Sequence, residues 1–599
     1  MLYPKLNTAR GLIDLSGVWN FKLNHGEDFD EAITASPLSE PMTIAVPASY
    51  NDQKEGESFR DHYGWVLYQR CLDLPAYLLT QRIVLRFGAV TQSAKVYING
   101  QKICEHKGGF LPFEVEINEF LTAGNNLLTV AVDNRIDLST LPVGSEKGGN
   151  MLTGLIPDLP GVTPKKQNYP NFDFFNYCGI TRPVKIYTTP KDYIKDITLI
   201  PTVSGSDAQI QYQVEVEGQG DVILTVCDEE GKVVAEATGT SGSFNINNVH
   251  LWQPLNAYLY NIKVRFCEDE YTETLGVRTV EVRGKEFLIN GKPFYFKGFG
   301  KHEDSPFRGR GMDEVLNVKD ISLMRWIGAN SFRTSHYPYA EEMMLLCDRE
   351  GIVVIDETPA VGVNLNFGAA AGGEPQDTYR IIRTKEHHED VIRDMICRDK
   401  NRACVVMWSI ANESDTTAFP DSAVDYYKPL YELAHQCDPQ NRPVTIVGVQ
   451  NDFAKDKTLP LMDVICLNRY YGWYVYGGDL QAAKQALKIE LDYWEKLGKP
   501  LMFTEYGADT VAGLHAATPT MFTEEYQVEF YEAVHEITDR YDYFIGEQVW
   551  NFADFATIQG IMRVDGNKKG IFTRDRRPKL AAHYFKKRWH RIPDFGYKS

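Results

Sequence analysis

The chain lacks any apolar run approaching the roughly 18 residues of a membrane-crossing helix. Its first residues, MLYPKLNTARGLIDLSG, show neither the basic start nor the apolar stretch of a secretory signal. Both absences lead us to expect a cytoplasmic protein with no membrane partner. The ten cysteines include no CxxC pair, so the common zinc and dithiol motifs are missing and neither a metal nor a cofactor is expected. Cys227 in VILTVC and Cys466 in VICLN fall inside apolar runs and read as reduced, buried, small hydrophobes. Basic residues are short as well: 63 against 81 acidic, a formal net charge of -18. That field repels phosphate backbones and anionic lipid, which argues against a nucleic-acid partner.

What is present is core material and length. At 599 residues, a prior of about 150 residues per domain suggests three or four domains. Aromatic residues reach 12%, with 33 Tyr and 9 Trp; rings stack on sugar CH faces, although large cores use the same residues.

Up to about residue 190, short alternating runs recur: RIVLRF (82–87), AKVYI (94–98), PFEVEI (112–117) and LLTVAV (127–132), with a hairpin turn at Asn99-Gly100. This spacing predicts a β-sandwich over 1–181. Residues 144–172, rich in Gly and Pro and without a period, predict a long loop. From 182 to 276 a shorter unit of strands (ITLIPTV, IQYQVEVEG, the hairpin DVILTVCDEEGKVVAEATG, LYNIKVRFC) fits an immunoglobulin-like sandwich.

In the last unit, 277–599, the period changes, and apolar strands alternate with amphipathic helices. Eight strands are predicted, at 294–300, 330–337, 352–357, 404–413, 443–448, 464–471, 501–506 and 544–552, and the whole predicts a (β/α)8 TIM barrel. Residues 449–463 read as irregular where a helix is due.

In such barrels chemistry sits at the C-terminal ends of the strands. Those ends are polar here: His336, Asp356-Glu357, Asn412-Glu413, Asn468 to Tyr471, Glu505, Glu547 and Trp550. Taken singly, an acidic residue closing a strand more often pairs with a basic neighbour or caps a helix. Two carboxyls facing one barrel mouth suit glycoside hydrolysis, which retains configuration when they stand about 5 to 5.5 Å apart and inverts it when they are wider.

The segment VVMWSIANESD (405–415) resembles the acid/base motif of glycoside hydrolase family two, and FTEYGADT (503–510) resembles its nucleophile motif. The order jelly-roll sugar-binding domain, immunoglobulin-like domain, barrel is also that family's. RTSHYPYAEE, LNRYYGWY, GEQVWNFADF and GNKKGIFTRDR resemble segments of its bacterial β-glucuronidases, and the similarity runs nearly from end to end.

The resemblance implies a retaining enzyme acting on β-glucuronides, with Glu413 as acid/base and Glu505 as nucleophile. An ionised Glu505 would raise the Glu413 pKa by like-charge repulsion. The same resemblance implies that Asn412 contacts the sugar 2-hydroxyl, that Tyr470 hydrogen-bonds Glu505, and that Asn468 and Tyr474 line the pocket. His336 and Trp550 stand where hydroxyl and ring-face contacts are expected. Asn567 and Lys569 match the Asn-x-Lys pair that reads the sugar carboxylate. Charge argues the same way, because a protein of net charge -18 that accepts an anionic sugar needs local cations, and Lys569 with nearby Arg563 is expected to supply a positive clamp. Asp173, in NFDFFNYCG of the first domain, matches an aspartate that reaches the 4-hydroxyl. A homotetramer is implied too.

The Gly-rich stretch from Asn364 to Gly373 reads as a flap with few large apolar residues, which predicts modest preference for bulky aglycones. Three alternatives share parts of this pattern: a family-two β-galactosidase or β-mannosidase, a β-galacturonidase differing only at the 4-hydroxyl, and a carbohydrate-binding protein whose catalysis has lapsed.

Overall fold

The computed structural model describes residues 1–144, 160–163, 165–367 and 374–598. Most of the predicted loop core (145–159 and 164) and of the predicted flap (368–373) lies outside these residues. Among those described, no helix is long and apolar enough to cross a membrane.

The first unit is a sandwich of two antiparallel sheets. One orders Leu12–Asp14, Val184–Thr189, Arg82–Phe87 and Phe113–Glu116. The other orders Met42–Val46, Gly17–Leu23, Trp65–Leu74, Gly124–Asp133, Ser93–Ile98 and Gln101–Lys107. Asn99 and Gly100 both take positive φ, 52° and 83°, the geometry of a type I′ hairpin whose twist suits the flanking strands. The partner across that turn is Gln101–Lys107, which sequence patterning missed because QKICEHK is largely exposed and polar.

The second unit packs a three-stranded sheet (Tyr193–Ser204, Asp207–Glu217, Ser241–Ile246) on a four-stranded one (Val233–Thr238, Val222–Cys227, Tyr260–Phe266, Asp269–Leu275). Strand Asp207–Glu217 alternates buried and exposed residues over most of its length, the period-2 pattern of a sheet with one wet face.

The third unit is a closed barrel of eight parallel strands: Phe296–Gly300, Ser331–Arg333, Val353–Glu357, Val405–Asn412, Val444–Gly448, Ile465–Asn468, Leu501–Glu505 and Phe544–Val549. Every residue in them is buried. Parallel strands covered on both faces must be apolar nearly throughout, which is why they read as continuous runs. The helix after the first strand, Glu314–Ile327, starts on Asp313, whose side chain accepts from the Leu316 N–H (3.1 Å), and stops at Gly328 with φ 85°. Asp313 and Gly328 are a standard pair of start and stop signals. Between strands five and six the chain makes two 3-10 turns, Phe453–Lys455 and Leu459–Leu461, in place of a helix. The last helix, Leu580–Trp589, packs on Glu314–Ile327 and Glu524–Thr538 and closes the outer ring.

Trp252 leaves the second sandwich and inserts fully buried into the barrel's core. Its indole N–H donates to the Asp348 carbonyl at 2.8 Å. Truncating so large a buried ring costs about 3–5 kcal/mol. Trp252→Ala should therefore lower the unfolding free energy measured in urea by that much, and a loss under about 1 kcal/mol would show that Trp252 does not pin the two units.

Candidate active site

Charged side chains inside apolar parallel strands need partners, because an unpaired buried charge is prohibitively costly. Arg333, closing the second barrel strand, has the most consequential set. Its Nη1 donates to both Glu357 oxygens at 2.7 Å, and its Nη2 to Glu505 Oε1 at 2.6 Å. It also donates to Asn412 Oδ1 at 3.3 Å. One guanidinium thereby ties the ends of strands two, three, four and seven.

Glu505 ends strand seven, and its second oxygen accepts from the Tyr470 hydroxyl at 2.7 Å. His336 bridges Glu357 (Nδ1 to Oε1, 2.9 Å) and approaches Glu505 (Nε2 to Oε1, 3.6 Å), with the Trp550 ring stacked on it at 5.0 Å. Ser409 donates to the other Glu357 oxygen at 2.7 Å.

Glu413 follows strand four in the left-handed region, φ 54°, and its N–H donates to the Val447 carbonyl at 2.9 Å. A non-glycine residue there is costly and marks a position held by its surroundings. Its carboxyl accepts from Asn468 Nδ2 at 2.9 Å, and Asn468 is itself oriented by the Thr504 hydroxyl at 2.9 Å.

Burial raises both carboxyls of the pair. For Glu505 the neighbouring Glu413 adds to the rise, while Arg333 and Tyr470 oppose it; for Glu413 the opposing groups are Asn468 and Arg333, with Asp173 adding to the rise. The expectation that repulsion raises Glu413 alone thus needs widening, since two coupled buried acids hold a proton between them. Hydrogen bonding decides where it rests. Glu505 faces a guanidinium and a hydroxyl and Glu413 one amide, so the donors favour the anion on Glu505 and the proton on Glu413, working against the burial and the Glu413 charge that push Glu505 up to about 8. At Glu357 burial works upward, but Arg333 and His336 prevail and hold it below the usual carboxylate range.

Glu413, Glu505, His336, Asn412, Asn468, Tyr470, Tyr474, Trp550, Asp173, Arg563 and Asn567 all line one cavity of about 650 Å³. Lys569 is fully buried just behind its wall, donating to the Tyr474 hydroxyl at 2.7 Å and paired with Asp509. Arg563 forks onto Asp173 (Nε to Oδ1, 2.9 Å), and Asn567 Nδ2 donates to the same carboxylate at 2.9 Å.

The expected surplus of positive charge is absent. Lys569 and Arg563 are matched by Asp509 and Asp173. A buried cation is stable only when paired, and this protein supplies the partners itself. Sequence reasoning missed Arg333 and Asp509, although each left a signal: an arginine inside the apolar strand SFR, and an aspartate four residues past Glu505. It also missed the wall formed after strands four and five, including Thr417, Gln450, Asn451 and Lys455. Among the described residues, no cluster of His, Cys, Asp and Glu is arranged to hold a metal ion.

Arg333→Met leaves Glu357 and Glu505 buried without their cation, a loss of about 3–5 kcal/mol. Chemical denaturation should show it, and stability within about 1 kcal/mol of wild type would mean that the guanidinium is not their counter-ion.

Three family profiles match in succession: residues 12–190 the sugar binding domain of glycosyl hydrolases family 2, residues 184–278 a second domain of that family, and residues 280–593 its TIM barrel domain. A curated beta-glucuronidase of Paenibacillus borealis is 45% identical, with 100% of both chains covered. The solved structure of Bifidobacterium dentium beta-glucuronidase complexed with coumarin-3-O-glucuronide superposes with a TM-score of 0.96 at 52% identity, covering 100% of both chains. Faecalibacterium prausnitzii beta-glucuronidase gives 0.95 at 53% identity, again over 100% of both. With two carboxyls closing strands four and seven of its barrel and all three family domains in order along its length, the chain belongs to glycosyl hydrolase family 2.

Proposed function

We infer that this protein is a retaining β-glucuronidase, releasing D-glucuronate from β-D-glucuronides. The observation that carries the reading is the sharing of one cavity by the Glu413–Glu505 pair and by Asn567, with Lys569 immediately behind. The beta-glucuronidases similar to this chain over its full length support it.

In the first step Glu505 attacks the anomeric carbon while Glu413 gives its proton to the glycosidic oxygen, so the C1–O bond breaks and the aglycone leaves as an alcohol. Esterified Glu505 carries no charge, which lets the deprotonated Glu413 draw a proton from water as that water attacks C1 and frees Glu505. Asn412 is placed to hydrogen-bond the 2-hydroxyl, a contact that strengthens as oxocarbenium character grows. Arg333 and Tyr470 hold the nucleophile's lone pairs in place, and Trp550 on His336 gives the sugar a wall. Asn567 and Lys569 meet the sugar carboxylate, and Asp173 the 4-hydroxyl.

A charge-assisted hydrogen bond contributes about 1.5–3 kcal/mol, so each such contact favours a glucuronide over the glucoside by roughly ten- to hundred-fold. The ten cysteines are all free thiols; Cys466 is buried as expected, but Cys227, on a strand of the second sandwich, is only half-buried and three others are exposed. Free thiols suit the cytoplasm, where we place the protein. By its likeness to the family it acts as a homotetramer.

The test is hydrolysis of an aryl β-D-glucuronide beside the matching glucoside, galactoside and galacturonide. Glu505→Ala should lose about 10³-fold or more in kcat, Glu413→Gln about 10²- to 10⁴-fold. Lys569→Ala should shrink the glucuronide preference about tenfold or more. Equal wild-type rates on glucuronide and glucoside would refute the substrate assignment, and full activity without Glu505 the mechanism.

Because both carboxyls are raised, kcat/KM should follow a bell lying above the range of free glutamates. The limbs belong to the coupled pair: activity needs one proton between the two carboxyls, and it falls on the acid side when both are protonated and on the alkaline side when neither is. Glu413→Gln, assayed with an aglycone that leaves without protonation, should keep the first limb and abolish the second; an unchanged alkaline limb would remove Glu413 from the acid role.

A further inference from the structure

We propose that Arg563 is a positioning residue that determines which C4 epimer of a uronide the site accepts, acting through Asp173 rather than on the sugar carboxylate. The proposal rests on the reading of the cavity given under Proposed function.

Its first ground is the commitment of the guanidinium. Nε donates to Asp173 Oδ1 and Oδ2 at 2.9 and 3.0 Å, Nη2 to Asp173 Oδ2 and to the Tyr474 hydroxyl at 2.7 Å, and Nη1 to the Met562 carbonyl at 3.2 Å. Each nitrogen is thus engaged by protein acceptors, and the side chain is only 4% exposed. An arginine fork of this kind fixes the plane and direction of the carboxylate it grips.

The second ground is how Asp173 reaches the cavity. It belongs to the first unit, and its backbone is anchored on both sides. Asn171 donates to the Gly362 and Asn364 carbonyls at 2.7 and 2.8 Å, Phe172 and Phe174 are buried in the barrel's core, and the Phe175 N–H donates to the Ala556 carbonyl at 2.9 Å. Those anchors place the α-carbon. The carboxylate at the end of a rotatable side chain, 25% exposed on the cavity wall, is oriented by Arg563 and Asn567.

Ring stereochemistry supplies the third ground. A pyranose with C1 at Glu505 and its carboxylate at Asn567 and Lys569 has C4 across the ring from C1 and bonded to the carbon bearing that carboxylate. Asp173, hydrogen-bonded to Asn567, is therefore beside the C4 hydroxyl. Glucuronides and galacturonides differ only in whether that hydroxyl is equatorial or axial. A carboxylate held in one direction accepts well from one of them, whereas a freely turning one serves both.

The experiment compares kcat/KM for aryl β-D-glucuronide, β-D-galacturonide and β-D-glucoside in wild type, Arg563→Gln, Asp173→Asn, their double variant and Lys569→Gln. Two substrates are read on one preparation, so any unfolded fraction cancels, and Arg563→Lys, which keeps the charge and loses the fork, replaces the glutamine variant if that does not fold. Arg563→Gln should lower the glucuronide-to-galacturonide ratio about tenfold or more while changing the glucuronide-to-glucoside ratio less than about threefold, since both of those sugars share the equatorial 4-hydroxyl. The double variant should fall no further than Asp173→Asn, because the two residues act as one unit. An epimer ratio left at its wild-type value overturns the proposal. So does a glucuronide-to-glucoside ratio that collapses as far as in Lys569→Gln, which would make Arg563 a carboxylate ligand. Failure of the underlying reading would look different: wild type itself would show no preference for the glucuronide over the glucoside.

Discussion

The guanidinium of Arg333, fully buried between Glu357 and Glu505, is the contact on which the candidate site depends. Without it the barrel mouth would bring together three carboxyls, those of Glu357, Glu413 and Glu505, in a dry environment, where like charges are either neutralised by protons or force the structure open. With it, Glu357 stays an anion that orients His336, and Glu505 keeps the lone pairs a nucleophile needs. Glu413, denied a guanidinium of its own, is left as the member that carries the proton. On the proposed mechanism, the two roles required of the pair rest on this asymmetry in donors.

Much of the fold was legible because burial on both faces leaves a barrel strand no choice but to be apolar; VVIDE, VVMWSIAN and FIGEQV announce themselves by that constraint. Strand Gln101–Lys107 was not legible, since a largely exposed strand at a sheet edge is under no such pressure. Within the site, Glu413 and Glu505 could be named from strand ends and motif resemblance together, since Glu357 and Glu547 also close or sit in strands. What sequence does not carry is direction. The left-handed backbone at Glu413, the register shift between Ser409 and Asn412, and another between Leu467 and Asn468 re-aim the side chains that meet there, and none of them shows in the pattern of apolar residues. Arg333 was visible only as an anomaly, a charge where the pattern called for an apolar residue.

The uronate end shows a different limit of sequence reasoning. Net charge argued for a cluster of free cations, and the cations are indeed there, but Asp509 lies four residues from Glu505 in a segment otherwise read for its nucleophile, and Asp173 comes from another domain. Electrostatic bookkeeping over a whole chain says nothing about which carboxylates the fold will bring beside a given lysine. The desolvation cost of burying Lys569 makes such a partner necessary, so a matched anion was the physically better expectation than an isolated clamp.

Counting formal charges around the cavity gives four cations, Arg333, Arg563, Lys569 and Lys455, against six carboxylates, Glu357, Glu505, Asp173, Asp509, Asp415 and Asp452, with the pair's proton placed on Glu413. Such a site has no net field with which to draw in an anion, and the protein's overall charge of -18 opposes one at long range. On the proposed function, recognition of a sugar carboxylate here comes from short-range geometry: an amide and an ammonium already oriented by Asp173, Tyr474 and Asp509, at no cost in reorganisation when the substrate arrives. Seen this way, the neutralising carboxylates do not compete with specificity. They hold the donors in place while keeping the site stable, and on the proposed function a neutral sugar is disfavoured because it leaves those pre-aimed donors without an acceptor.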